Sequence, residues 1–216
     1  MQWNFLQLSL PFLVGFLLGS IPFGLLLTRA AGLGDIRNIG SGNIGATNVL
    51  RTGNKKLAAV VLLLDAAKGL AAVLIAGTFG PLAGVVAALG AVMGHMFTPW
   101  LSFRGGKGVA TTLGVLWGLN WILGAVTCVL WLLFAIVFRY SSLAALLSIA
   151  ASGALSWFLL DWRAALIVTL IVPLVFIRHH ENISRLLAGT ESKIGQKVEP
   201  KPAMGHNNGP TFGTRT

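Results

Sequence analysis

Seven long apolar stretches dominate the chain and constrain its fold more than any other feature. The first begins near the amino terminus and ends before Arg29. The others run over Leu57 to Ala76, Thr78 to Phe97, Val109 to Leu119, Trp121 to Phe138, Leu143 to Leu160 and Ala164 to Ile177. Only helices and closed barrels satisfy the backbone inside a bilayer, and about 20 apolar residues make one helical span. The pattern therefore predicts an all-α, polytopic integral membrane helix bundle.

The composition agrees with a membrane domain and excludes a soluble globule. Only 10% of the 216 residues are charged, against roughly 25% in ordinary soluble domains. The amino-terminal stretch meets no basic residue before Arg29, so it is predicted to be a retained first span rather than a cleaved signal. The single cysteine, Cys128, lies in an apolar run and leaves no disulfide framework or thiolate metal site.

The distribution of positive charge predicts how the chain crosses the membrane. The chain has 16 Lys and Arg against six Asp and Glu. If the apolar run from Val109 to Phe138 breaks into two crossings at Gly118-Leu119-Asn120, 14 of the 16 basic residues lie on the inner side, as the positive-inside rule favours. Arg163 is then outside, and Lys68 lies within a span. We therefore expect seven transmembrane spans, with the amino terminus out and the carboxy terminus in. Residues 1–198 are predicted to form the membrane domain and 199–216 a disordered cytoplasmic tail.

Pairs of glycines four positions apart predict where helices approach closely. Gly15/Gly19, Gly80/Gly84 and Gly90/Gly94 have this spacing, which lets backbones pack tightly in membranes. Glycine is also tolerated in membrane helices without such a contact, so each pair alone leaves both interpretations open. Ionisable residues at membrane depth are costly and tend to pair. Asp65 and Lys68, three positions apart inside a span, are therefore expected to form a buried pair.

Three polar segments on the predicted inner side exceed what connecting loops need: Gly40 to Lys56, Gly94 to Gly114 and Arg178 to Gly195. The first has glycines in G-x-G-x-x-G spacing, but a dinucleotide fold requires a preceding strand, and membrane helices flank this segment. Its glycines still let backbone N–H groups approach an oxyanion, and side chains add donors. The segment is typical of a phosphate cradle, with donors from Ser41, Asn43, Thr47, Asn48 and Arg51.

The second segment resembles a nucleotide P-loop only in part. Leu101 stands where the first glycine of a Walker A motif belongs, and Gly108 stands where Ser or Thr should follow Lys107. A glycine-flanked lysine at a helix start is still suited to an anion. Glycine-rich turns with inner positive charge explain either segment alone, but three such segments with hydroxyl and amide donors favour anion binding. His179 and His180 also fit an interfacial pair, and His95 a packing histidine.

Together the three segments closely resemble the signature motifs of the bacterial acyl-phosphate:glycerol-3-phosphate acyltransferases (PlsY type). The motif G-S-G-N-x-G-x-T-N-x-x-R matches Gly40 to Arg51. G-H-x-F followed by G-G-K-x-V-A-T matches Gly94 to Thr111, and H-x-x-N-I-x-R-L-x-x-G-x-E matches His179 to Glu191. One departure is that Thr98 stands where the family usually has proline, with Pro99 next.

The resemblance implies transfer of a fatty acyl group from acyl phosphate to the 1-hydroxyl of sn-glycerol 3-phosphate. The products are lysophosphatidic acid and phosphate, in the first acylation step of phospholipid synthesis. It also implies a multi-pass protein of the bacterial inner membrane with its active site on the cytoplasmic side. Membrane lipid is an expected partner, nucleic acid is not, and a transient contact with a soluble acyl-phosphate synthase is left open. No cofactor is implied, and the acidic residues form no metal-ligand cluster.

The charge of the substrates and the resemblance together give the candidate site. Two doubly charged phosphates about 6 Å apart at an effective dielectric near 20 repel by roughly 10 kcal/mol, so several cations are needed. The cations that can supply this charge are Arg51, Lys107, Arg139, Arg185 and Lys193. The resemblance adds His179, Asn182, Ser41 and Asn48 as catalytic candidates, and Gly42, Asn43, Gly45, Thr47 and Ser142 as further substrate-binding candidates.

The expected roles divide between the two substrates. The loop from Gly42 to Asn48 and Ser142 are expected to hold the acyl phosphate, and Arg51 and Lys107 the glycerol phosphate. His179 with Asn182 is expected to orient the attacking hydroxyl or to stabilise the oxyanion. The proton acceptors to consider are the phosphate of the acceptor itself and His95, His179, His180, Glu181 and Glu191. We expect the bound glycerol phosphate to take the proton.

The same residues support two other functions less well. A phosphate-ester transporter would share the spans and the cationic loops, but it predicts internal pseudo-symmetry and a site at the membrane midplane. This chain shows no repeat, and its polar motifs fall at one interface. The acyltransferase class with an H-x-x-x-x-D dyad is excluded because no His in this chain has Asp five residues on.

Overall fold

The structure, a computed structural model, describes residues 5–196. Within this range the chain is helix and loop with no β-strand, which confirms the all-α prediction for this part of the protein. The predicted tail and residues 1–4 at the amino terminus lie outside the described residues. The α-helices of this range are α1 (Phe5–Ser20), α2 (Phe23–Ala30), α3 (Ala46–Leu50), α4 (Lys55–Gly77), α5 (Pro81–Met96), α6 (Val109–Leu119), α7 (Trp121–Phe138), α8 (Ser141–Leu159), α9 (Trp162–Arg178) and α10 (His180–Leu187). Short 3-10 turns cover Ile36–Asn38 and Pro99–Leu101.

Within the described residues each predicted apolar stretch is mainly helical, although the first is broken between Ser20 and Phe23. Five helical segments of the described range are long and apolar enough to cross a membrane, or six if α9 and α10 count as one segment bent by 62°. α6 has only 11 residues. It is separated from α7 by Asn120, whose Oδ1 accepts hydrogen bonds from the N–H groups of Ile122 and Leu123 at 2.9 and 3.1 Å. This N-cap confirms the helix break predicted at Asn120.

α1 packs along α5 through glycines on both helices. A Cβ at Gly15 would lie 2.2 Å from the carbonyl oxygen of Ala87, and one at Gly90 would lie 2.3 Å from that of Phe12. Only glycine allows the two backbones to come so close, which confirms the contact predicted for the pairs that begin at these residues. Gly80 differs, because a Cβ there would meet nothing within 4 Å and its φ of 125° serves the start of α5.

α4 and α6 approach each other in the same way, through glycines that no spacing pattern marked. A Cβ at Gly69 would lie 2.3 Å from the carbonyl oxygen of Thr111, and one at Gly114 would lie 1.8 Å from that of Ala66. This contact holds α6, and the loop before it, against the centre of the bundle.

The first apolar stretch is broken rather than one continuous helix. α1 ends at Ser20, and Pro22, which has no N–H to donate, separates it from α2. The carbonyl oxygen of Ser20 accepts a hydrogen bond from Thr98 Oγ1 at 2.7 Å, and that of Ile21 accepts one from Lys68 Nζ at 2.8 Å. Non-helical backbone inside a membrane protein persists where partners satisfy it in this way. Thr98 therefore supports the break directly.

Asp65 and Lys68 form the buried pair that their spacing predicts. Lys68 Nζ lies 2.7 Å from Asp65 Oδ1, and both side chains are 3% exposed. The pair therefore neutralises its charge inside the helix bundle, where an isolated charge would be costly.

Candidate active site

The first polar segment folds around the side chain of Asn48, which is 2% exposed. Asn48 Nδ2 lies 3.0, 2.9 and 2.8 Å from the carbonyl oxygens of Ile36, Ile39 and Asn43, which share its two N–H donors. Its Oδ1 accepts a hydrogen bond from the N–H of Ser41 at 3.0 Å. Both polar atoms of the Asn48 amide are thus hydrogen-bonded within the loop, so this side chain holds the loop in shape.

Arg51 follows α3 and lies across the same loop. Its Nη2 donates to Ser192 Oγ at 2.5 Å, which joins the first polar segment to the third. Gly40 has a φ of 54°, and a Cβ there would lie 2.9 Å from Arg51 Cδ and 2.6 Å from Asn48 Oδ1. Conformation and space therefore both require glycine beside the guanidinium group.

The glycines of the second polar segment are held between two helices. The N–H groups of Gly105 and Gly106 donate to carbonyl oxygens in the last turn of α5 at 3.1 and 3.0 Å. From the other side, Arg178 of α9 donates through Nη2 to the carbonyl oxygen of Gly105 at 2.8 Å and through Nε to that of Gly106 at 3.1 Å. This two-sided contact fixes the backbone directly before Lys107.

Lys107 reaches from this loop to α10, where its Nζ donates to Asn182 Oδ1. Burial, together with the positive charge of Arg185, lowers the pKa of Lys107 to about 8. The lysine therefore loses its charge in mildly alkaline solution when no anion is bound. A phosphate dianion beside it favours the charged form.

Glu191, which is 8% exposed, connects the third segment to α8 and α10. Its Oε1 accepts hydrogen bonds from Ser142 Oγ at 2.9 Å and Asn182 Nδ2 at 2.7 Å, and its Oε2 accepts one from Arg185 Nε at 2.6 Å. Burial raises the pKa of Glu191, but these hydrogen bonds and the charge of Arg185 outweigh it and hold the pKa below its usual value. Glu191 is therefore a buried carboxylate that ties three candidate site residues together.

His179 lies at the bend between α9 and α10 and is 3% exposed. Its Nδ1 lies 2.8 Å from the carbonyl oxygen of Val175. A carbonyl oxygen only accepts, so Nδ1 donates and carries the proton. The other ring nitrogen, Nε2, is then an acceptor in the neutral imidazole.

Two cavities open among these loops and share Ser41. The larger has a volume of about 430 Å³ and is lined by Arg37, Asn38, Ser41, Gly42, Asn43, Arg104, Gly105, Lys107, Arg178, His180 and Glu181. The smaller has a volume of about 190 Å³ and is lined by Gly40, Ser41, Arg51, Arg185, Thr190 and Ser192. Arginine and lysine far outnumber acidic residues in both linings, so each cavity suits an anion.

The structure brings most of the predicted site residues together. Arg51 and Lys107, expected to hold one phosphate, line different cavities that meet at Ser41. Eight predicted residues line neither cavity. Four of them are buried: Asn48, Ser142, His179 and Asn182. The other four are Gly45, which precedes α3; Thr47, whose Oγ1 lies 3.1 Å from Ser141 Oγ; Arg139, which is exposed; and Lys193, whose Nζ lies 5.9 Å from the Tyr140 ring centroid.

Sequence reasoning missed three charged residues of this region, Arg37, Arg104 and Arg178, which line the larger cavity. It considered Glu191 only as a proton acceptor, whereas Glu191 joins Ser142 to Arg185. The signal for Arg104, Arg178 and Glu191 was their place within or beside the polar segments. Among residues 5–196, no group of three or more His, Cys, Asp or Glu is arranged to hold a metal ion.

Comparison with known proteins identifies the family to which this fold and site belong. Residues 9–189 match the profile of the glycerol-3-phosphate acyltransferase family. The glycerol-3-phosphate acyltransferase of Mesorhizobium japonicum is 62% identical over 190 residues, which cover 88% of this chain and 97% of that protein. That of Agrobacterium fabrum is 56% identical over 191 residues, which cover 88% and 93%.

The fold is similar to that of a solved member of the family. A crystal structure of PlsY, described as an integral membrane glycerol 3-phosphate acyltransferase in its glycerol 3-phosphate form, matches with a TM-score of 0.82 at 35% identity. The match covers 87% of this chain and 96% of that structure. A second form of PlsY, with lysophosphatidic acid, gives a TM-score of 0.79 at 33% identity, covering 86% of this chain and 94% of that one. The chain therefore belongs to the glycerol-3-phosphate acyltransferase family and is a multi-pass membrane protein.

Proposed function

We propose that the protein transfers a fatty acyl group from acyl phosphate to the 1-hydroxyl of sn-glycerol 3-phosphate, giving lysophosphatidic acid and inorganic phosphate. The observation that carries this proposal is the pair of cationic cavities that meet at Ser41. Two phosphate-bearing substrates repel each other, so they need positive charge on both sides of the place where they meet. The family relationship supports glycerol 3-phosphate as the acceptor and lysophosphatidic acid as the product.

The acceptor phosphate binds beside Ser41, between Arg51 of the smaller cavity and Lys107 of the larger one. The guanidinium fork of Arg51 suits two phosphate oxygens at once, and Lys107 adds a point charge. Asn182 and Arg185 stand next to these cations, where Asn182 accepts the hydrogen bond of Lys107 and Arg185 lines the smaller cavity. Arg51 and Lys107 therefore bind the same phosphate, although they line different cavities.

The donor phosphate binds to the glycine loop over residues 42–48. Gly42 has a φ of 72° and lines the larger cavity with Asn43, so backbone and amide groups there are open to an anion. Asn48 positions this loop through the hydrogen bonds of its side-chain amide. Ser142 supports the site in a similar way, because its Oγ donates a hydrogen bond to Glu191.

The chemistry is a direct acyl transfer. The 1-hydroxyl oxygen attacks the acyl carbonyl carbon and forms the ester bond. The bond between the acyl carbon and the bridging phosphate oxygen breaks, and inorganic phosphate leaves with the bonding electron pair. The hydroxyl proton passes to the phosphate of the bound glycerol phosphate. His179, with Nε2 free to accept, orients the hydroxyl, and Asn182 assists it. The mixed anhydride is already activated, so no covalent enzyme intermediate is required.

We propose seven spans, formed by α1 with α2, and by α4, α5, α6, α7, α8 and α9, with the amino terminus out and the carboxy terminus in. The protein then lies in the bacterial inner membrane with both cavities on the cytoplasmic side, where it performs the first acylation of phospholipid synthesis. The cations of the two cavities support this orientation through the positive-inside rule. A soluble acyl-phosphate synthase would then meet the protein on the same side.

A reconstituted assay tests the reaction directly. Protein purified in detergent, without any membrane gradient, should release inorganic phosphate from acyl phosphate only when glycerol 3-phosphate is present, and lysophosphatidic acid should form in equal amount. Acyl-CoA in place of acyl phosphate tests the donor class. Release of phosphate without an acceptor, or acyl transfer from acyl-CoA alone, would contradict the proposed function.

A further inference from the structure

A buried cluster of ionisable residues lies behind the second polar segment. Asp65, Lys68 and His95 are 2%, 5% and 4% exposed. Asp65 Oδ1 lies 2.7 Å from Lys68 Nζ and 3.7 Å from His95 Nδ1. None of the three lines either cavity. The proposed reaction does not use these residues, yet ionisable groups inside a membrane bundle are retained mostly where they serve a function.

His95 touches the loop that carries Lys107. A Cβ on Gly106 would lie 2.0 Å from His95 Nε2, so the imidazole edge packs directly on the Cα of Gly106. The N–H of Gly106 donates to the backbone carbonyl of the same histidine at 3.0 Å. Arg178 holds the carbonyl oxygen of the same glycine. A side chain on Gly106 could therefore be accommodated only if the loop moved away from His95 or if His95 itself moved.

The charge of Asp65 faces one nitrogen of the imidazole while the other nitrogen faces Gly106. Lys68 holds that carboxylate and is itself anchored on the carbonyl oxygen of Ile21 at 2.8 Å, in the break between α1 and α2. The cluster therefore ties the position of the His95 ring to α4 and to the break between α1 and α2.

We propose that His95, oriented by Asp65 and Lys68, is a positioning residue that supports Gly106 and so sets the place of Lys107 beside Asn182. This inference rests on the proposed function, because it assigns His95 a role in binding the acceptor phosphate through Lys107. His95 acts through the loop backbone and takes no part in proton transfer.

A pair of matched alanine substitutions tests this role. In Gly106→Ala the new Cβ collides with the His95 side chain, so kcat/KM for glycerol 3-phosphate should fall, on the order of 100-fold for a displacement of about 1 Å. In Gly106→Ala/His95→Ala the obstacle is gone, and kcat/KM should recover about tenfold, within the coupling range of side chains in contact. The recovery should come from KM rather than kcat.

Gly105→Ala is the control for this cycle. Its Cβ would lie 2.1 Å from the backbone carbonyl oxygen of residue 95, which remains whatever side chain stands there. His95→Ala should therefore not rescue Gly105→Ala. His95→Asn, which keeps a polar group opposite Asp65 but is shorter than histidine, repeats the test should His95→Ala fold poorly.

The pH profile gives a readout that a general loss of stability would not move. The alkaline limb of kcat/KM should reflect Lys107, whose pKa of about 8 results mainly from burial. If the Gly106 Cβ pushes the loop outward, Lys107 becomes more exposed and the limb moves to higher pH. It should return toward pH 8 in the double variant.

The outcomes separate the two proposals. If wild-type protein does not acylate glycerol 3-phosphate from acyl phosphate, the proposed function fails. If the wild type is active, and neither second-site change at His95 recovers kcat/KM or returns the alkaline limb in Gly106→Ala, the positioning role of His95 is wrong. Equal rescue of Gly105→Ala would also overturn it, because the effect would then not depend on the contact with Gly106.

Discussion

The ammonium group of Lys107 is hydrogen-bonded to the amide oxygen of Asn182, 75 positions further along the chain. Asn182 is itself held by Glu191, to which its Nδ2 donates a hydrogen bond at 2.7 Å. An amide carries no net charge, so the positive charge of Lys107 is not cancelled where it is held. A cation fixed by a neutral partner remains available to a phosphate.

The first prediction concerns the alkaline pH dependence. Because burial lowers the pKa of Lys107 to about 8, the free enzyme holds the charged form below that pH and loses it above. We expect kcat/KM for glycerol 3-phosphate to fall as the pH rises through about 8. Lys107→Arg keeps its charge at any such pH, so its limb should move upward even if its activity is lower. An unchanged limb in this variant would assign the titration to another group.

The second prediction concerns Arg51. Its Nη2 is held by Ser192 at 2.5 Å, so the guanidinium plane is fixed in the smaller cavity. Arg51→Lys keeps the charge but loses the fork, and it should raise the apparent KM for glycerol 3-phosphate more than that for acyl phosphate. Initial rates measured against each substrate in turn decide this. Equal increases in both KM values would remove Arg51 from the acceptor site.

The third prediction concerns stability. Glu191→Gln replaces an acceptor that three donors share with a group that is partly a donor, so it should lower the free energy of unfolding at neutral pH by about 2 kcal/mol. A carboxyl with a depressed pKa stabilises the folded state above its unfolded pKa and ceases to do so as pH falls through its folded pKa. The difference in melting temperature between wild type and variant should therefore shrink in acid.

Glu181→Gln is the matched control for that experiment. The Glu181 side chain is 61% exposed, and its nearest approach to Arg185 is 3.9 Å. Such an exposed pair contributes within about 0.5 kcal/mol. If both variants shifted the melting temperature equally, the buried hydrogen bonds of Glu191 would not be the source of its effect.

The fourth prediction concerns topology. After Cys128 is replaced, a cysteine placed in the tail should react with an impermeant label only when the inner face is accessible. A cysteine at Trp121, which is 67% exposed and leaves the Asn120 cap intact, should react only from outside. Labelling of both positions from the same side would contradict the seven-span arrangement.

Local signals in the sequence predicted most of the helical fold. The break at Asn120 and the close contact at Gly15 follow from short-range chemistry, a capping side chain and a residue without Cβ. The break of the first stretch has a local signal in Pro22, but the partners that sustain it lie far along the chain. Its free carbonyl groups are satisfied by Lys68 and Thr98, which no local pattern connects with it.

The site was predictable in its residues but not in its connections. The polar segments marked Ser41 and Lys107, which do line cavities. The clamp of Arg178 on the second segment was not predicted, because at the end of a span a basic residue is explained by the positive-inside rule alone. A contact between residues 72 positions apart requires the three-dimensional structure.

The last prediction concerns the proton acceptor. His179 has its Nδ1 proton committed to the carbonyl oxygen of Val175 at 2.8 Å, and among residues 5–196 no carboxylate is hydrogen-bonded to its ring to raise its basicity as in a catalytic triad. The phosphate of glycerol 3-phosphate, with a second pKa of about 6, can take the hydroxyl proton itself. His179→Asn and His179→Gln should therefore retain some turnover, and the acidic limb of the kcat profile should persist in both. His95→Asn serves as the comparison, since the ring of His95 packs on Gly106 and takes no part in the proposed proton transfer. If the acidic limb vanished in the His179 variants but persisted in His95→Asn, His179 would be the base, and proton transfer to the substrate would be wrong.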